Sequence, residues 1–323
     1  MKKYLLFTIR FAGIALGVFI ISIFALQLKT YTAPATGIKA SKDPVVIERG
    51  EYIAQHLSHC GACHGDLKQR EAGIPANQLS LNGGMVFPLP IGDIYVPNIT
   101  ADTETGIGLL SDEELARALR YGISHNGKMM LPLMPYQNMS DEDLTAVISY
   151  LRTLEPVKNN VPQKSYNLLG KFLNAYVFKP KGPDGTPPAQ VTADTGVAYG
   201  AYLANNIANC SGCHTPFDPA TGQPTGAPYS GGNKFQSVRK NNVVCVSPNL
   251  TPHAQHGRIT HWTASQFIAR FRQGQLIPDS EMPWEYFQDM SDNDLLAIYN
   301  YLQSLPTAEN NPGPSVITAS QVK

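Results

Sequence analysis

The pentapeptide Cys-x-x-Cys-His occurs twice in the chain, at Cys60-Gly61-Ala62-Cys63-His64 and at Cys210-Ser211-Gly212-Cys213-His214. Few short patterns constrain a fold more. Two thiols three residues apart reach the two vinyl groups of one porphyrin as thioethers, and the adjacent imidazole falls beneath the iron as its proximal ligand. Each copy therefore predicts one covalently bound c-type haem, on Cys60 and Cys63 with His64, and on Cys210 and Cys213 with His214. A structural zinc site would need four clustered N/S ligands, and neither cysteine pair has a second pair nearby. A thioredoxin-like redox pair is the other reading of the two cysteines.

The motifs are the visible part of a longer repeat. RGEYIAQHLSHCGACH at 49–64 matches YGAYLANNIANCSGCH at 199–214, and Pro97-Asn98-Ile99-Thr100 matches Pro248-Asn249-Leu250-Thr251. Residues 139–154 and 290–305 agree at nine of sixteen positions. The offset stays between 148 and 152, far above the period of a solenoid, so a whole domain is duplicated. Each copy carries three helix signals in one order. The first helix runs into the haem motif, with Gly50 and Tyr52 recurring as Gly200 and Tyr202. The second opens at a capping box, Ser111-x-x-Glu114 or Thr263-x-x-Gln266, and stops at Gly122 or Gly274. The third opens at Ser140 or Ser291. Glycines at 50 and 200 would let the first helix approach the last closely. No alternating strand pattern recurs in both copies, although residues 229–246 could hold one short hairpin.

Charge and hydropathy bound the setting. Lys plus Arg and Asp plus Glu each number 25, so no strong basic balance points to nucleic acid. Charged residues make up only 15%, while 27 glycines and 25 prolines favour short helices joined by irregular chain. Lys2, Lys3 and Arg10 precede an uncharged run at 11–28, long enough to cross a bilayer as one helix. The basic flank places that end in the cytoplasm and the rest outside. Cleavage near Ala33-Pro34-Ala35 is the alternative to a retained anchor. Four of the five cysteines are committed to haem, and Cys245, within an apolar stretch, reads as a buried inert thiol. Between the copies, the apolar piece at 166–178 is too short to span a membrane. It reads as a helix packed against the domains, or else as a contact for the membrane surface or a partner.

A second axial ligand sets the potential of each iron, and it should recur. Met134-Pro135-Tyr136 aligns with Met282-Pro283-Trp284, placing Met134 and Met282 70 and 68 residues after His64 and His214. Met130 is the alternative in the first copy. Met139 and Met290 also align, but each sits beside a helix N-cap, where a hydrophobic staple is the better reading. His125, His253, His256 and His261 have no counterpart in the other copy and read as loop histidines. His56 and His59 are replaced by Asn206 and Asn209.

The order of haem motif, axial methionine and final helix resembles that of class I c-type cytochrome domains. More narrowly, GISHNGKMMLPLMPYQNMSDEDLTAVISYL and SPNLTPHAQHGRITHWT resemble the cytochrome c subunits of membrane-bound bacterial alcohol, aldehyde and gluconate dehydrogenases. The similarity runs over 45–305 and implies haem attachment at Cys60, Cys63, Cys210 and Cys213. It also implies axial ligation by His64, Met134, His214 and Met282, and transfer of electrons from a dehydrogenase towards the respiratory chain. Those subunits usually carry three haem domains, whereas two motifs occur here. The expected architecture is mainly α: a membrane anchor and linker at 1–44, a cytochrome c domain at 45–157, a connector at 158–193, a second cytochrome c domain at 194–310 and a tail at 311–323.

These readings lead to an electron carrier with two covalently bound c-type haems, fixed to a bacterial inner membrane with its haem domains in the periplasm. Its partners would be redox proteins: a dehydrogenase subunit, an oxidase or another cytochrome. The competing reading is a dihaem enzyme of the cytochrome c peroxidase or thiosulfate dehydrogenase type. Matching methionines in both copies oppose a peroxidase, which must free one coordination position, and Cys245 lies too far before Met282 to act as an unusual ligand.

Overall fold

The structure, a computed structural model, describes residues 2–219, 221–237, 242–277 and 280–322. It opens with the long helix α1 (Lys2–Ala25), whose apolar side chains are mostly exposed. At 1.5 Å per residue its 24 residues extend about 36 Å, which exceeds the hydrocarbon thickness of a bilayer.

The repeat seen in the sequence becomes a repeat of elements. In the first half α2 (Pro44–Tyr52) starts at the cap Asp43 and winds directly into a π-helical turn (Ile53–Leu57). The short helix α3 (Gly61–His64) follows, carrying the haem motif, and then α4 (Leu67–Glu71). Helices α5 (Asp112–Tyr121) and α6 (Asp141–Leu151) complete the set. Helix α7 (Leu168–Tyr176) lies between the halves in sequence. In the second half α8 (Val197–Tyr202) winds into a π-helical turn (Leu203–Ile207) and is followed by α9 (Cys210–His214). Helices α10 (Ala264–Arg272), α11 (Trp284–Phe287) and α12 (Asp292–Ser304) come last.

The helix ends fall where side-chain chemistry predicts. Both capping boxes close at Ser111 and Glu114 and at Thr263 and Gln266, while Ser140 and Ser291 cap α6 and α12. Such a cap contributes about 1 kcal/mol. Gly122 and Gly274 end their helices in the left-handed region, at φ 61° and 63°.

Helix α2 crosses α6, and α8 crosses α12, at the glycines. A Cβ on Gly50 would lie 1.9 Å from the carbonyl oxygen of Ala146, and one on Gly200 would lie 1.9 Å from that of Ala297. The two crossings repeat the same contacts at the same distances. Around them Ile53, Leu57, Leu144 and Ile148 in one half, and Leu203, Ile207, Leu295 and Ile298 in the other, belong to one continuous buried core. Met139 and Met290 are fully buried beside the N-caps of α6 and α12, next to Leu144 and Leu295 in that core, as a staple requires.

Contrary to the sequence reading, strands do recur. Strands β1 (Val86–Leu89) and β2 (Gly92–Tyr95) pair antiparallel, and β3 (Ser165–Tyr166) adds to β2. Strands β4 (Lys234–Gln236) and β5 (Val243–Val246) pair likewise, and β6 (Val316–Thr318) adds to β5. Four residues carry too little alternation to read, and Pro88 and Gly92 in the first pair are poor strand formers. The turn of the hairpin expected within 229–246 involves residues 238–241, which lie outside the described residues. Cys245 is buried on β5. Strand β3 comes from the segment expected as connector and β6 from the expected tail. Asn159 and Asn310 reinforce these returns, donating to the carbonyls of Asn82 and Gly83 and of Ser230 and Gly231.

The halves meet through a reciprocal contact. Tyr52 donates its hydroxyl proton to Asp294 (2.6 Å) and accepts the N–H of Ser291 (2.8 Å) at the start of α12. Tyr202 does the same to Asp143 (2.7 Å) and Ser140 (3.0 Å) at the start of α6. Burial, then the facing carboxylate, raises both phenols above their ordinary pKa, so both remain donors. Each tyrosine stands eight residues before the first cysteine of its own haem motif. The contact therefore ties each motif to the other half's final helix.

Candidate haem sites

Each motif is presented by the same backbone device. The π-helical turn shifts the helix register just before the cysteines, and one residue in the left-handed region then redirects the chain. That residue is His59 (φ 41°) in the first half and Asn209 (φ 54°) in the second. Asparagine and histidine are among the non-glycine residues that tolerate this region best, which gives both positions a backbone reason. His59 also packs edge-on against Phe287 of the second half, with ring centroids 5.3 Å apart.

The two motif histidines are held alike. The Nδ1 of His64 lies 2.9 Å from the carbonyl oxygen of Pro97, and that of His214 lies 3.1 Å from the carbonyl of Pro248. A carbonyl can only accept, so Nδ1 carries the proton and Nε2 keeps its lone pair. Burial pushes both imidazoles below their ordinary pKa, against the opposing pull of the carbonyl, and keeps them neutral. A neutral ring with Nδ1 fixed is the form that ligates metal through Nε2.

The duplicated Pro-Asn-x-Thr stretch is built to hold that carbonyl. The Asn98 side-chain oxygen accepts from the N–H (2.9 Å) and hydroxyl (2.8 Å) of Thr100, and its amide donates to the carbonyl of Val157 (2.8 Å). Asn249 repeats this with Thr251 (2.9 and 2.7 Å) and the carbonyl of Ala308 (2.8 Å). All four side chains are buried. The sequence displayed the repeat but not its task, because a backbone carbonyl leaves no trace in residue identity.

Cys60, Cys63 and Cys210 are half-buried and Cys213 is exposed. Burial, reinforced by the second cysteine of the motif, pushes the thiols of Cys60 and Cys210 up to about 12, so both are neutral. Within each motif the thiols stand three residues apart on a short helix that ends at the buried histidine. This donor set fits a porphyrin attached along that helix. Among the described residues no three His, Cys, Asp or Glu side chains form a metal-holding group.

Met134 and Met282 lie in irregular loops, partly buried against the core that Cys60 and Cys210 also border. The first loop is tied to its motif: Tyr136 donates to the carbonyl of Ser58 at 2.8 Å, and its buried phenol feels Cys60 and Cys63. Both loops are clamped from behind by an arginine that sequence reasoning missed. Arg120 donates to the carbonyls of Gln137 and Met139 and to Asp141. Arg272 donates to the carbonyls of Gln288 and Met290 (2.6 Å) and to Asp292. Their recurrence at an offset of 152 was the available signal. In the second half Trp284 lies under the Arg270 guanidinium, 3.7 Å from its ring centre, and donates to Ser280. Met130 is half-buried beside Met134, whereas Met129 is buried and bridged to Ile123. His253 uses Nδ1 to accept the N–H groups of Gln255 and His256, and stacks on His256. That is the role of a loop histidine.

Residues 47–155 match the family model described as Cytochrome c. Over 282 residues the chain is 31% identical to the cytochrome c subunit of the quinone alcohol dehydrogenase of Gluconobacter oxydans (strain 621H), covering 82% of this chain and 55% of that protein. It is 30% identical over 300 residues to the gluconate 2-dehydrogenase cytochrome c subunit of Pantoea cypripedii, covering 88% and 65%. It is 25% identical over 276 residues to a diheme c-type cytochrome of Cereibacter sphaeroides, covering 81% and 86%. The chain thus spans little more than half to two thirds of the length of the two dehydrogenase subunits. It carries a cytochrome c family domain at residues 47–155, and over most of its length it is similar to the cytochrome c subunits of bacterial dehydrogenases.

Proposed function

We propose that the chain is a membrane-anchored dihaem electron carrier that passes electrons between a dehydrogenase and the respiratory chain. One haem would be held by Cys60 and Cys63 with His64 and Met134 as axial ligands, the other by Cys210 and Cys213 with His214 and Met282. The observation that carries the reading is the duplicated pairing of a buried motif histidine with a proline carbonyl. It fixes tautomer and ring orientation twice over, which a chance Cys-x-x-Cys-His would not require.

A haem bound in this way supplies a one-electron ferric–ferrous couple. The protein holds it, orients it and limits water. The proline carbonyls strengthen the imidazoles as ligands. The arginine clamps keep the methionine loops from drifting, and the shared core excludes solvent from both sites. The reciprocal tyrosine contacts hold the motifs in fixed relation, as a relay needs. Helix α1 serves as the anchor, with the haem-bearing halves on the periplasmic side. The dehydrogenase partner is inferred from the relatives, which are named as subunits of such enzymes.

Spectroelectrochemical titration of the purified protein tests the carrier reading. Two one-electron waves are expected, with both irons low-spin throughout. Steady turnover of peroxide or thiosulfate by the protein alone, or a high-spin iron at rest, would place it among dihaem enzymes instead.

A further inference from the structure

Helix α7 has two occupied flanks and exposed apolar residues at both ends. On the body side, Gly170 is pressed against the β1–β2 turn, where an added Cβ would meet the carbonyl oxygen of Ile91 at 2.1 Å. Asn167 caps the helix and donates to the carbonyl of Pro90. On another flank α7 packs against the second half of α1. The Tyr176 ring stacks on Phe19 with centroids 5.9 Å apart, Phe172 lies 6.2 Å from the same ring, and the hydroxyls of Tyr176 and Ser22 share a hydrogen bond. Gln27 joins the two, donating to the carbonyl of Lys171 (2.9 Å) and accepting from Asn174 (2.8 Å). At its two ends Leu168 stays 65%, Leu169 51% and Val177 55% exposed.

The segment that carries α7 is basic, although Lys158 is paired with Glu104. Residues 156–183 contain five lysines and no Asp or Glu. Lys171 lies over the Phe24 ring at 5.0 Å and Lys29 over Tyr31 at 4.7 Å, while Lys128 donates to the carbonyls of Gln27 and Lys29 where α1 ends. Apolar side chains beside aromatic rings, with lysines held on apolar stems, suit the boundary between acyl chains and headgroups.

We propose that α7 is a second membrane contact, an amphipathic foot seated in the interface of an anionic phospholipid bilayer beside the exit of α1. The inference rests on reading α1 as the anchor. Continuity decides the occupant. A helix fastened to α1 between Phe19 and Gln27 is held against the outer half of the span, and Lys171 and Lys179 on and just after it complement lipid phosphate. Two contacts fix the orientation of the haem-bearing body, whereas one flexible tether would leave it free to swing.

Site-directed spin labelling of the full chain tests this. Cys245→Ala removes the thiol not committed to haem, and a nitroxide is placed through Leu169→Cys or, separately, Val18→Cys. In phosphatidylglycerol-containing vesicles both labels should collide with oxygen more effectively than with a water-soluble nickel chelate, as expected for sites within the acyl boundary. Adding Lys171→Glu and Lys179→Glu should abolish that preference at position 169 and leave position 18 unchanged. A label at 169 open to nickel while that at 18 is shielded would overturn the foot and keep the anchor. Labels open to nickel at both positions would overturn both. Protection at 169 that appears only when a dehydrogenase is added would assign the surface to a protein and overturn the inference.

Discussion

Met134→Ala and Met282→Ala should each remove the near-infrared band of sulfur-to-iron ligation from one haem and lower one of the two midpoint potentials. Axial ligands and their surroundings tune haem potentials over about 0.8 V, so a fall on the order of 100 mV or more is expected for the haem that loses its thioether. The other haem should keep both band and potential, because each methionine loop has its own arginine clamp and lies against its own half of the core. Met139→Ala and Met290→Ala should leave both bands in place while lowering the melting temperature, since those side chains are buried beneath the N-caps. If Met130→Ala removes a band and Met134→Ala does not, Met130 is the ligand of the first haem.

The second large effect concerns the helix crossings. Gly50→Ala and Gly200→Ala place a methyl group where Ala146 and Ala297 present their carbonyls at 1.9 Å, with Tyr150 and Tyr301 Cβ atoms at 2.9 Å. The obstacle is backbone within a helix and cannot rotate away, so α2 and α6, or α8 and α12, must separate. Overpacking of this kind costs about 3 kcal/mol or more, which for a chain of this size lowers the melting temperature by roughly 5–10 °C. Because α2 and α8 wind directly into the haem motifs, the loss should extend to haem incorporation during folding. Gly185→Ala is the control: nothing lies within 4 Å of the added methyl, and its melting temperature should equal that of the wild type. A wild-type melting temperature for Gly50→Ala would show that the helices do not cross there.

Much of this architecture could be read from residue identity because it is written locally. Capping boxes, the terminating glycines and the stapling methionines act within a few residues of themselves, and the duplication marked which of them mattered. The close approach at Gly50 and Gly200 was legible for the same reason: a glycine kept in two copies before the same motif asks for a steric cause. What stayed hidden depends on distant backbone. Pro97 and Pro248 act through carbonyls, Tyr52 and Tyr202 through partners in the opposite half, and β3 and β6 through strands too short to show a period. The π-helical turns have no sequence signature at all. His59 was visible only as a histidine, although the backbone there requires a left-handed residue rather than an imidazole.

The central claim is that one chain carries two haems on a duplicated scaffold. Its most direct test is the mass of the denatured full-length protein together with its haem content per chain. The account predicts two haems that remain covalently attached after denaturation, falling to one when Cys60 and Cys63, or Cys210 and Cys213, are both replaced by alanine. A single retained haem in the wild type, or haem lost on denaturation, would contradict it.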